Sequence, residues 1–249
     1  MPKVSIVVPV YNAARFLEDT IRSVQAQTEK DWELLLVDDC STDESRDVIT
    51  RISERDSRVR LIRQAQNAGA AAARNRGICE AAGKYLTYLD ADDLWKPERL
   101  SKELAFLEKE KAAFVFCGYE FADENGCGTG KVVRVPKVLT YHQALKNTTI
   151  FTSTVLFDMT ALSKELLQMP LVKSEDTATW WKILRAGYQA HGLDENLVLY
   201  RRTAGTLSSD KLEAVRRIWF LYRKVEGLSA LYSMYNFIFY AIRAVLRRV

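Results

Sequence analysis

The chain is poor in the residues that build disulfide and zinc sites. Its 249 residues include four cysteines, none in a CxxC pair, and two histidines. Structural zinc sites need closely spaced cysteines or histidines, so the composition argues against zinc and predicts four reduced thiols. No secretory signal precedes the apolar run that follows Met1-Pro2-Lys3. These absences predict a protein of a reducing compartment, the cytoplasm.

Net positive charge is confined to the end of the chain. Residues 201–249 hold ten Lys/Arg and three Asp/Glu, a net +7, so that residues 1–200 carry −3 of the overall +4. Nucleic acids bind broad basic surfaces, and the body of this protein has none. We therefore expect no nucleic-acid partner.

Apolar runs and helical spacings alternate through the first half of the chain. The predicted strands are Val4–Val8, Trp32–Val37, Val59–Ile62 and Tyr85–Leu89, and the predicted helices are Ala13–Gln27, Ser41–Ile52 and Gly69–Ala82. This alternation predicts an α/β fold, with a Rossmann-like, mostly parallel central sheet and helices on both faces. Ligands of such sheets bind at the carboxyl ends of the strands.

The second half is more mixed. Ala113–Phe121 and Lys131–Val135 predict two antiparallel strands, and Glu175–Ala186 predicts a helix. The Gly-rich stretch 126–131 superficially resembles a phosphate-binding loop, but Val132 replaces the hydroxyl residue that such a loop needs after its lysine. We interpret this stretch as a hairpin turn. From about Asp210 the sequence is helical to its end.

Three carboxylates follow the last strand of the first half, at Asp90, Asp92 and Asp93. Carboxylate oxygens are the ligands that Mg²⁺ or Mn²⁺ prefers. Asp90 can bind ribose hydroxyls, whereas Asp92 can hold a metal ion that bridges a diphosphate, with Asp93 as a further ligand or its support. The alternative is a polar turn that caps a helix near Pro97, for which one Asp would be enough.

Two other loops offer groups suited to a nucleotide. Tyr11 can stack on a base or simply pack, and Asp39 can accept the imide N–H of uracil or cap the helix predicted from Ser41. Arg74 lies in an Ala-rich helix, where it can face a diphosphate or form a structural salt bridge. The pair Glu175-Asp176 opens a helix and contains a candidate general base, although acidic residues also favour helix starts in general.

The C-terminal segment combines apolar and basic residues. No charge occurs between Leu228 and Ile242, and this stretch spans about 22 Å as a helix, less than the roughly 30 Å of a bilayer core. Polar residues fall on one helical stripe, at Ser229, Ser233, Asn236, Tyr240, Arg243 and Arg247. We expect residues 216–249 to lie on an anionic membrane surface, and the alternative is packing on the domain or on a second subunit in a homodimer.

Together these motifs resemble family 2 glycosyltransferases of the GT-A fold. The resemblance is carried, in order, by residues 4–12 (VSIVVPVYN), by Val37-Asp38-Asp39 with Ser41-Thr42-Asp43, by Asn67, Gly69 and Ala73-Arg74-Asn75, and by Leu89-Asp90-Ala91-Asp92-Asp93. It implies an inverting transfer of a sugar from a nucleoside-diphosphate donor, usually a UDP-sugar, with Mg²⁺ or Mn²⁺. Cys40 departs from the family, which often has Gly at this turn.

The resemblance also assigns roles by position. It implies that Pro9, Tyr11 and Asp39 hold the base, that Asp90 holds the ribose and Asp92 the metal, and that Asp176 is the general base. Arg202 and Lys211 fall where the family has a loop that closes on the diphosphate. Either Trp180 or Trp181 is a candidate to stack on the acceptor sugar.

The later sequence resembles enzymes that build bacterial surface polysaccharides such as O-antigen, capsule and teichuronic acid. The implied acceptor is a polyprenyl-diphosphate-linked glycan at the inner face of the cell membrane. We predict a catalytic domain over 1–209, with a nucleotide-sugar half (1–100) and an acceptor half (101–209), and a membrane-associating segment over 210–249. The competing functions are a nucleotidyltransferase, which normally needs a Gly-rich basic loop after its first strand, and a non-enzymatic scaffold.

Overall fold

The computed structural model describes residues 1–147, 149–202 and 211–246. The strands of this part are β1 (Val4–Val10), β2 (Trp32–Asp38), β3 (Val59–Arg63), β4 (Tyr85–Tyr88), β5 (Leu94–Trp95), β6 (Phe114–Ala122), β7 (Gly128–Val133), β8 (Val138–Leu139), β9 (Val155–Asp158) and β10 (Ala190–Arg201). They form one sheet in the order β3-β2-β1-β4-β9-β6-β10-β5, with β7 beside β6 and β8 beside β10.

Helices cover both faces of this sheet. In the described residues they are α1 (Ala14–Gln25), α2 (Ser45–Ser53), α3 (Gly69–Glu80), α4 (Arg99–Glu110), α5 (Tyr141–Ala144), α6 (Lys164–Leu167), α7 (Glu175–Arg185), α8 (Lys211–Phe220) and α9 (Ala230–Leu246). The apolar sides of α1, α2 and α4 pack on one face, and those of α3, α7 and α8 pack on the other. The predicted α/β architecture is confirmed.

Parallel pairing occurs in two separate parts of the sheet. β3, β2, β1 and β4 run parallel, and β2 is buried along its whole length. Such complete burial explains its continuous apolar sequence. Beyond β4, the antiparallel strand β9 joins this unit to β6, which pairs in parallel with β10. All polar loops after the first strands therefore lie at one edge of the sheet.

Helix α3 lies unusually close to the sheet. A Cβ atom at Gly77 would come within 2.3 Å of a Val7 methyl group, so a larger residue there would push the helix away. The small residues Ala71 and Ala73 are buried on the same helix. This close approach brings Arg74, at the amino-terminal half of α3, next to the ends of β1 and β4.

Several predicted boundaries shift in the structure. Helix α2 begins at Ser45 rather than Ser41, because the Asp38 side chain accepts a hydrogen bond from the Ser41 amide and holds the preceding turn. Only the start of the Gly-rich stretch, Gly126 and Cys127, lies in the turn between the antiparallel strands β6 and β7, and residues 128–131 belong to β7 itself. The division at residue 100 falls inside α4, and one sheet runs through both halves, whereas the domain limits themselves stay a prediction.

Candidate active site

A cavity of about 540 Å³ lies at the carboxyl edge of the parallel strands. The loops after β1, β2 and β4 all reach it, as the sequence predicted. Its lining includes most of the predicted donor-site residues, namely Pro9, Tyr11, Asp39, Arg74, Asp90 and Asp92. We call it the donor cavity. It forms because parallel strands of consecutive order bring their following loops to the same edge.

The loops after β1 and β2 hold each other through side-chain caps. The Asn12 side chain accepts a hydrogen bond from the Thr42 amide at 2.8 Å, and the Asn12 amide donates to Ser41 Oγ at 3.1 Å. Asn12 has φ +49°, a left-handed conformation that Asn tolerates better than most residues. Beside it, Tyr11 is 53% exposed, so its ring is not a core-packing group and is open to a ligand.

Asp39 is buried and strongly bonded. It accepts hydrogen bonds from Gln64 Nε2 at 2.7 Å, from the Ala68 amide at 2.8 Å and from the Gly69 amide at 2.7 Å. The alternative that Asp39 caps the helix predicted from Ser41 was therefore wrong, because the Asp39 carboxylate binds the amides at the start of α3 instead. Each carboxylate oxygen has two acceptor directions, so Oδ2, which receives only the Gly69 bond among these, keeps one for a ligand.

Cys40 adopts the conformation that makes Gly common at this turn. Its φ is +62°, in the left-handed region, and its thiol donates to the Gln64 carbonyl oxygen at 3.4 Å. A side chain costs conformational energy there, since the Cβ atom approaches the following carbonyl group. The backbone is nevertheless held there, because the preceding Asp38 and Asp39 side chains accept hydrogen bonds from the Ser41 amide and from the start of α3.

Arg74 connects the donor cavity to the opposite half of the protein. Its guanidinium group is buried and forms ion pairs with Asp90 at 2.6 Å and with Glu175 at 2.8 Å. Burial disfavours the charged form, but the negative charges of Asp90 and Glu175 raise the pKa of Arg74 above its usual value. The salt-bridge alternative is therefore present in the structure, although Arg74 also lines the donor cavity.

The acidic run divides into an outward and an inward carboxylate. Burial, followed by the charge of Asp90, raises the pKa of Asp92 to about 6. Asp93 is fully buried, accepts hydrogen bonds from Ser153 Oγ at 2.6 Å and the Arg201 amide at 3.1 Å, and has a pKa raised by burial and by Asp92. Asp93 therefore points into the protein, which corrects its assignment as a candidate metal ligand: it supports the turn.

The donor set suits a divalent cation bound mainly by substrate. In the described residues no three Asp, Glu, His or Cys side chains converge into a complete metal cluster. Mg²⁺ usually takes one or two protein carboxylates together with phosphate oxygens and water. Asp92 lines the donor cavity, and the repulsion between Asp92 and Asp90 is the kind that a bound cation relieves. The residues present therefore fit such an ion.

A second cavity, of about 450 Å³, adjoins the first. It contains the carboxylates of Glu175 and Asp176, at the amino terminus of α7, and we call it the acceptor cavity. Ala70, Arg74 and Asp90 line both cavities, so the two adjoin at these residues. A group bound in one cavity would thus adjoin a group bound in the other.

Asp176 is held in position at the start of α7. Thr152 Oγ1 donates to its Oδ2 atom at 3.2 Å, and the Thr177 amide donates to its Oδ1 atom at 2.6 Å. Glu175 instead pairs with Arg74, and burial and the Asp176 charge raise the pKa of Glu175. Of the two acidic residues, Asp176 is the one not committed to an ion pair with Arg74.

The two tryptophans of α7 are structural. Trp180 is 2% exposed and packs among Phe114, Phe157 and Tyr88, while Trp181 is 1% exposed and stacks on Tyr222 at 5.1 Å between ring centroids. Their ring faces are occupied by other side chains, so the expectation that one stacks on an acceptor sugar is corrected. They form the floor of the acceptor cavity.

The structure describes only one of the two cationic side chains predicted to close on a diphosphate, Arg202 and Lys211. Arg202 is exposed with its guanidinium 5.4 Å from the centroid of the Phe121 ring, and it is not among the residues lining the two cavities. Lys211 is the first residue of α8, but its side chain lies outside what the structure describes, as does the stretch 203–210. Their predicted contact with a diphosphate stays a prediction.

Sequence reasoning missed three residues of the acceptor cavity. Thr152 lies in a short 3₁₀ turn before β9, whereas Arg217 and Tyr240 belong to α8 and α9. The only signal for Arg217 was its position on the same helix face as Ala214, Ile218 and Leu221. No local pattern linked any of the three to Asp176.

The C-terminal helices expose their apolar side. Ser233 and Asn236, from the predicted polar stripe, are fully buried, whereas Leu231 is 86% exposed. Further exposed apolar side chains on α9 are Met234, Tyr235, Ile238, Phe239 and Ile242. α8 and α9 are separated by a π-helical turn (Leu221–Val225) and by Gly227, at φ +66°. Among the described residues, no helix is long and apolar enough to cross a membrane.

Comparison with known proteins finds relatives that are named as glycosyltransferases. The family model described as Glycosyl transferase family 2 matches residues 5–167. A Bacillus subtilis protein named as a teichuronic acid biosynthesis glycosyltransferase, TuaG, is 39% identical, covering 100% of this chain and 98% of its own. An Escherichia coli UDP-Glc:alpha-D-GlcNAc-diphosphoundecaprenol beta-1,3-glucosyltransferase, WfgD, is 34% identical, covering 96% and 94%.

Two solved structures share the fold. Staphylococcus aureus TarS, residues 1–349 in complex with UDP-GlcNAc, superposes with a TM-score of 0.72 at 19% identity, covering 97% of this chain and 71% of that one. The mannosyltransferase PcManGT of Pyrobaculum calidifontis, with GDP-Man and Mn²⁺, superposes with a TM-score of 0.73 at 20% identity, covering 92% and 65%. At these identities the likeness establishes the GT-A fold alone.

Proposed function

The chain belongs to glycosyl transferase family 2, and from this premise we propose that it moves a sugar from a UDP-sugar to a hydroxyl group of a lipid-linked glycan, with inversion at the anomeric carbon. The observation that carries the proposal is the adjacency of the two cavities across Arg74 and Asp90. A nucleotide site and a carboxylate base on opposite sides of one narrow boundary suit a direct displacement between two bound substrates.

In the donor cavity, each residue has a role that its surroundings support. The exposed ring of Tyr11 stacks on the base, beside Pro9, and the remaining acceptor direction of Asp39 receives the imide N–H of uracil. Asp90 accepts from the ribose hydroxyls. Arg74 keeps the Asp90 carboxylate in place, since the two form a buried ion pair.

Asp92 is the residue that would hold Mg²⁺ or Mn²⁺ together with the donor diphosphate. When bound, such an ion neutralises charge that develops on the departing diphosphate. Asp93 supports this site from inside the protein, because its hydrogen bonds with Ser153 and the Arg201 amide fix the turn that carries Asp92.

Asp176 acts as the general base in the acceptor cavity. It takes the proton of the acceptor hydroxyl as that oxygen forms a bond to the anomeric carbon, while the bond from this carbon to the diphosphate oxygen breaks and UDP leaves. Thr152 and the Thr177 amide orient the carboxylate. Glu175 does not compete for the proton, since it is paired with Arg74.

Titration calorimetry of UDP and GDP, each with and without Mn²⁺, tests the donor site. We expect UDP alone to bind, only with the metal, and Asp92→Ala to abolish this binding. Asp31→Ala, which removes an exposed carboxylate away from both cavities, is the matched control and should bind as the parent does. Binding of neither nucleotide would overturn the proposal and favour a non-enzymatic scaffold. A preference for nucleoside triphosphates would favour a nucleotidyltransferase.

The same function places the protein at the inner surface of the cell membrane, because its acceptor would be anchored there. Eight of the large apolar side chains that are exposed lie within residues 215–242. Lys146 and Arg243 border the apolar side of α9, with the Lys146 ammonium group 4.4 Å from the centroid of the Tyr235 ring. Apolar residues flanked by cations suit an anionic bilayer surface better than a neutral one.

Cosedimentation with vesicles of phosphatidylglycerol or phosphatidylcholine tests this membrane contact. The double variant Leu231→Ser/Ile238→Ser should bind phosphatidylglycerol at least tenfold more weakly, since it removes two apolar side chains worth roughly 1.5–3 kcal/mol each on burial. Ala230→Ser, on the same helix, is the control. A homodimer that the double variant dissociates, without vesicle binding by the parent, would assign the apolar side to a second copy instead.

A further inference from the structure

Arg217 lies where the acceptor cavity meets a second surface groove. It lines the acceptor cavity together with Asp176, and it also lines a groove of about 420 Å³ beside α8. The other residues of that groove are Leu171, Val172, Lys173, Glu213, Arg216 and Phe220. Because Arg217 lines both, the two spaces adjoin at this side chain, and we refer to them together as the path from the candidate base to the protein surface.

This path changes in chemistry along its length. At the inner end are the carboxylates of Asp90, Glu175 and Asp176, which suit a sugar hydroxyl and repel an anion. In the middle is the guanidinium group of Arg217. At the outer end, Leu171 and Phe220 are exposed apolar side chains.

Helix α8 lies between the acceptor cavity and the groove, and different faces of the helix line each of them. Ala214, Arg217 and Ile218 face the acceptor cavity, whereas Arg216 and Phe220 face the groove. Arg217 is half-buried, and its Nε atom lies 3.4 Å from the Glu213 carbonyl oxygen in its own helix. The Glu213 carboxylate is paired with Lys173 at 2.5 Å, so it is neutralised next to the groove.

We propose that Arg217 binds the diphosphate of the acceptor, with the acceptor sugar at Asp176 and the first part of its lipid chain on Leu171 and Phe220. The proposal rests on the proposed function, because it assumes a lipid-linked acceptor. Guanidinium groups bind phosphate oxygens in bidentate geometry, and Arg216, which also lines the groove, adds positive charge at the rim. The C-terminal helices thus form part of the acceptor site as well as a membrane contact.

Binding of undecyl diphosphate tests this assignment, with undecyl monophosphate as the comparison ligand. Both are titrated below micelle-forming concentration, in the presence of saturating UDP and Mn²⁺, so that the donor cavity is occupied. We expect the parent protein to prefer the diphosphate at least tenfold. Arg217→Gln should remove that preference, and Arg217→Lys should retain part of it, since lysine keeps the charge but not the planar fork.

Arg134→Gln is the matched control, because this exposed arginine lines neither cavity nor the groove. It should leave the diphosphate preference unchanged. A preference that persists in Arg217→Gln, or that is absent from the parent protein, would overturn the assignment. The UDP titration is a separate readout: its failure would overturn the proposed function, whereas normal UDP binding by a parent protein that shows no diphosphate preference would overturn this inference alone.

Discussion

The donor and acceptor halves of the protein build their cavities in different ways. In the donor half, each candidate carboxylate of the site follows a strand, and these strands belong to the parallel set β3-β2-β1-β4. In the acceptor half, Asp176 opens a helix and its surroundings come from Thr152, Arg217 and Tyr240, on three separate elements. A site at the ends of parallel strands can be recognised from short motifs, whereas a site between packed helices cannot.

The two halves also differ in how they stabilise charge. In the donor half, the Asp39 carboxylate is stabilised by hydrogen bonds from two backbone amides and from the Gln64 side chain. At the boundary between the two cavities, Arg74 pairs with a carboxylate from each half, Asp90 and Glu175. Arg74 is therefore the point at which the two sites depend on each other, and the following variants test how far they are otherwise independent.

The largest expected effect is on catalysis by Asp176→Asn. The amide cannot accept the hydroxyl proton, so sugar transfer should fall by about 10²–10⁴-fold. Metal-dependent UDP binding should stay within twofold of the parent, because the donor cavity is unchanged. Initial rates and calorimetry measure the two quantities, with Glu165→Gln as a control on the exposed surface. Loss of UDP binding in Asp176→Asn would show that the halves are not independent.

A large effect on stability is expected from Arg74→Met. The variant leaves two partly buried carboxylates, 20–27% exposed, without their buried cation, so the free energy of unfolding should fall by up to about 3–5 kcal/mol, the cost of breaking a fully buried pair. Arg76→Met, two residues along the same helix, removes an exposed ion pair with Glu80 and should cost about 1 kcal/mol or less. Urea denaturation at pH 7 measures both. Equal effects would mean that Arg74 does not join the halves energetically.

The pH dependence of stability tests a buried ion pair in α4, the helix that contains the predicted boundary at residue 100. Glu103 of α4 is fully buried beside Arg99, and burial outweighs the Arg99 charge and raises the pKa of Glu103 to about 7. The folded protein thus binds a proton that the unfolded chain releases above its ordinary pKa of about 4.5. The stability from this group is complete below pH 4.5 and is lost as the pH rises to about 7.

Glu103→Gln cannot titrate, so it lacks this dependence. Between pH 5 and 8 the free energy of unfolding of the parent should fall relative to the variant by up to about 3 kcal/mol. Chemical denaturation at both pH values measures the difference. A difference of the opposite sign would mean that the ion pair with Arg99 lowers the pKa of Glu103.

The smallest expected effect is in the donor half, at Cys40. Replacing it by Gly relieves the left-handed conformation and should raise the free energy of unfolding by about 0.5–1 kcal/mol, after the greater entropy of the unfolded glycine chain is included. Cys40→Ala keeps the Cβ atom and should give no gain. Thermal unfolding of both variants measures the effect, and an equal gain in Cys40→Ala would assign it to loss of the thiol.

The fold prediction succeeded where hydrophobic pattern and strand order determine the structure. The four parallel strands were placed within about two residues, as β2 illustrates with its uninterrupted apolar run. The start of α2 was wrong because the Ser41 and Thr42 amides donate to the Asp38 and Asn12 side chains and so extend the preceding loop. The roles of Asp93 and Trp181 were misjudged because burial depends on what packs against a residue, and for both residues that comes from a distant part of the chain.

The sequence by itself determined the α/β architecture, the family and the meeting of three acidic or polar loops at one sheet edge. These follow from local signals, since short hydrophobic segments predict the strands, their ends and their alternation with helices. Only the tertiary structure decided which carboxylates face a cavity, that Arg74 joins both halves, and that α8 and α9 contribute Arg217 and Tyr240. Those outcomes depend on long-range packing, which sets burial and charge pairing and leaves no periodic trace in the sequence.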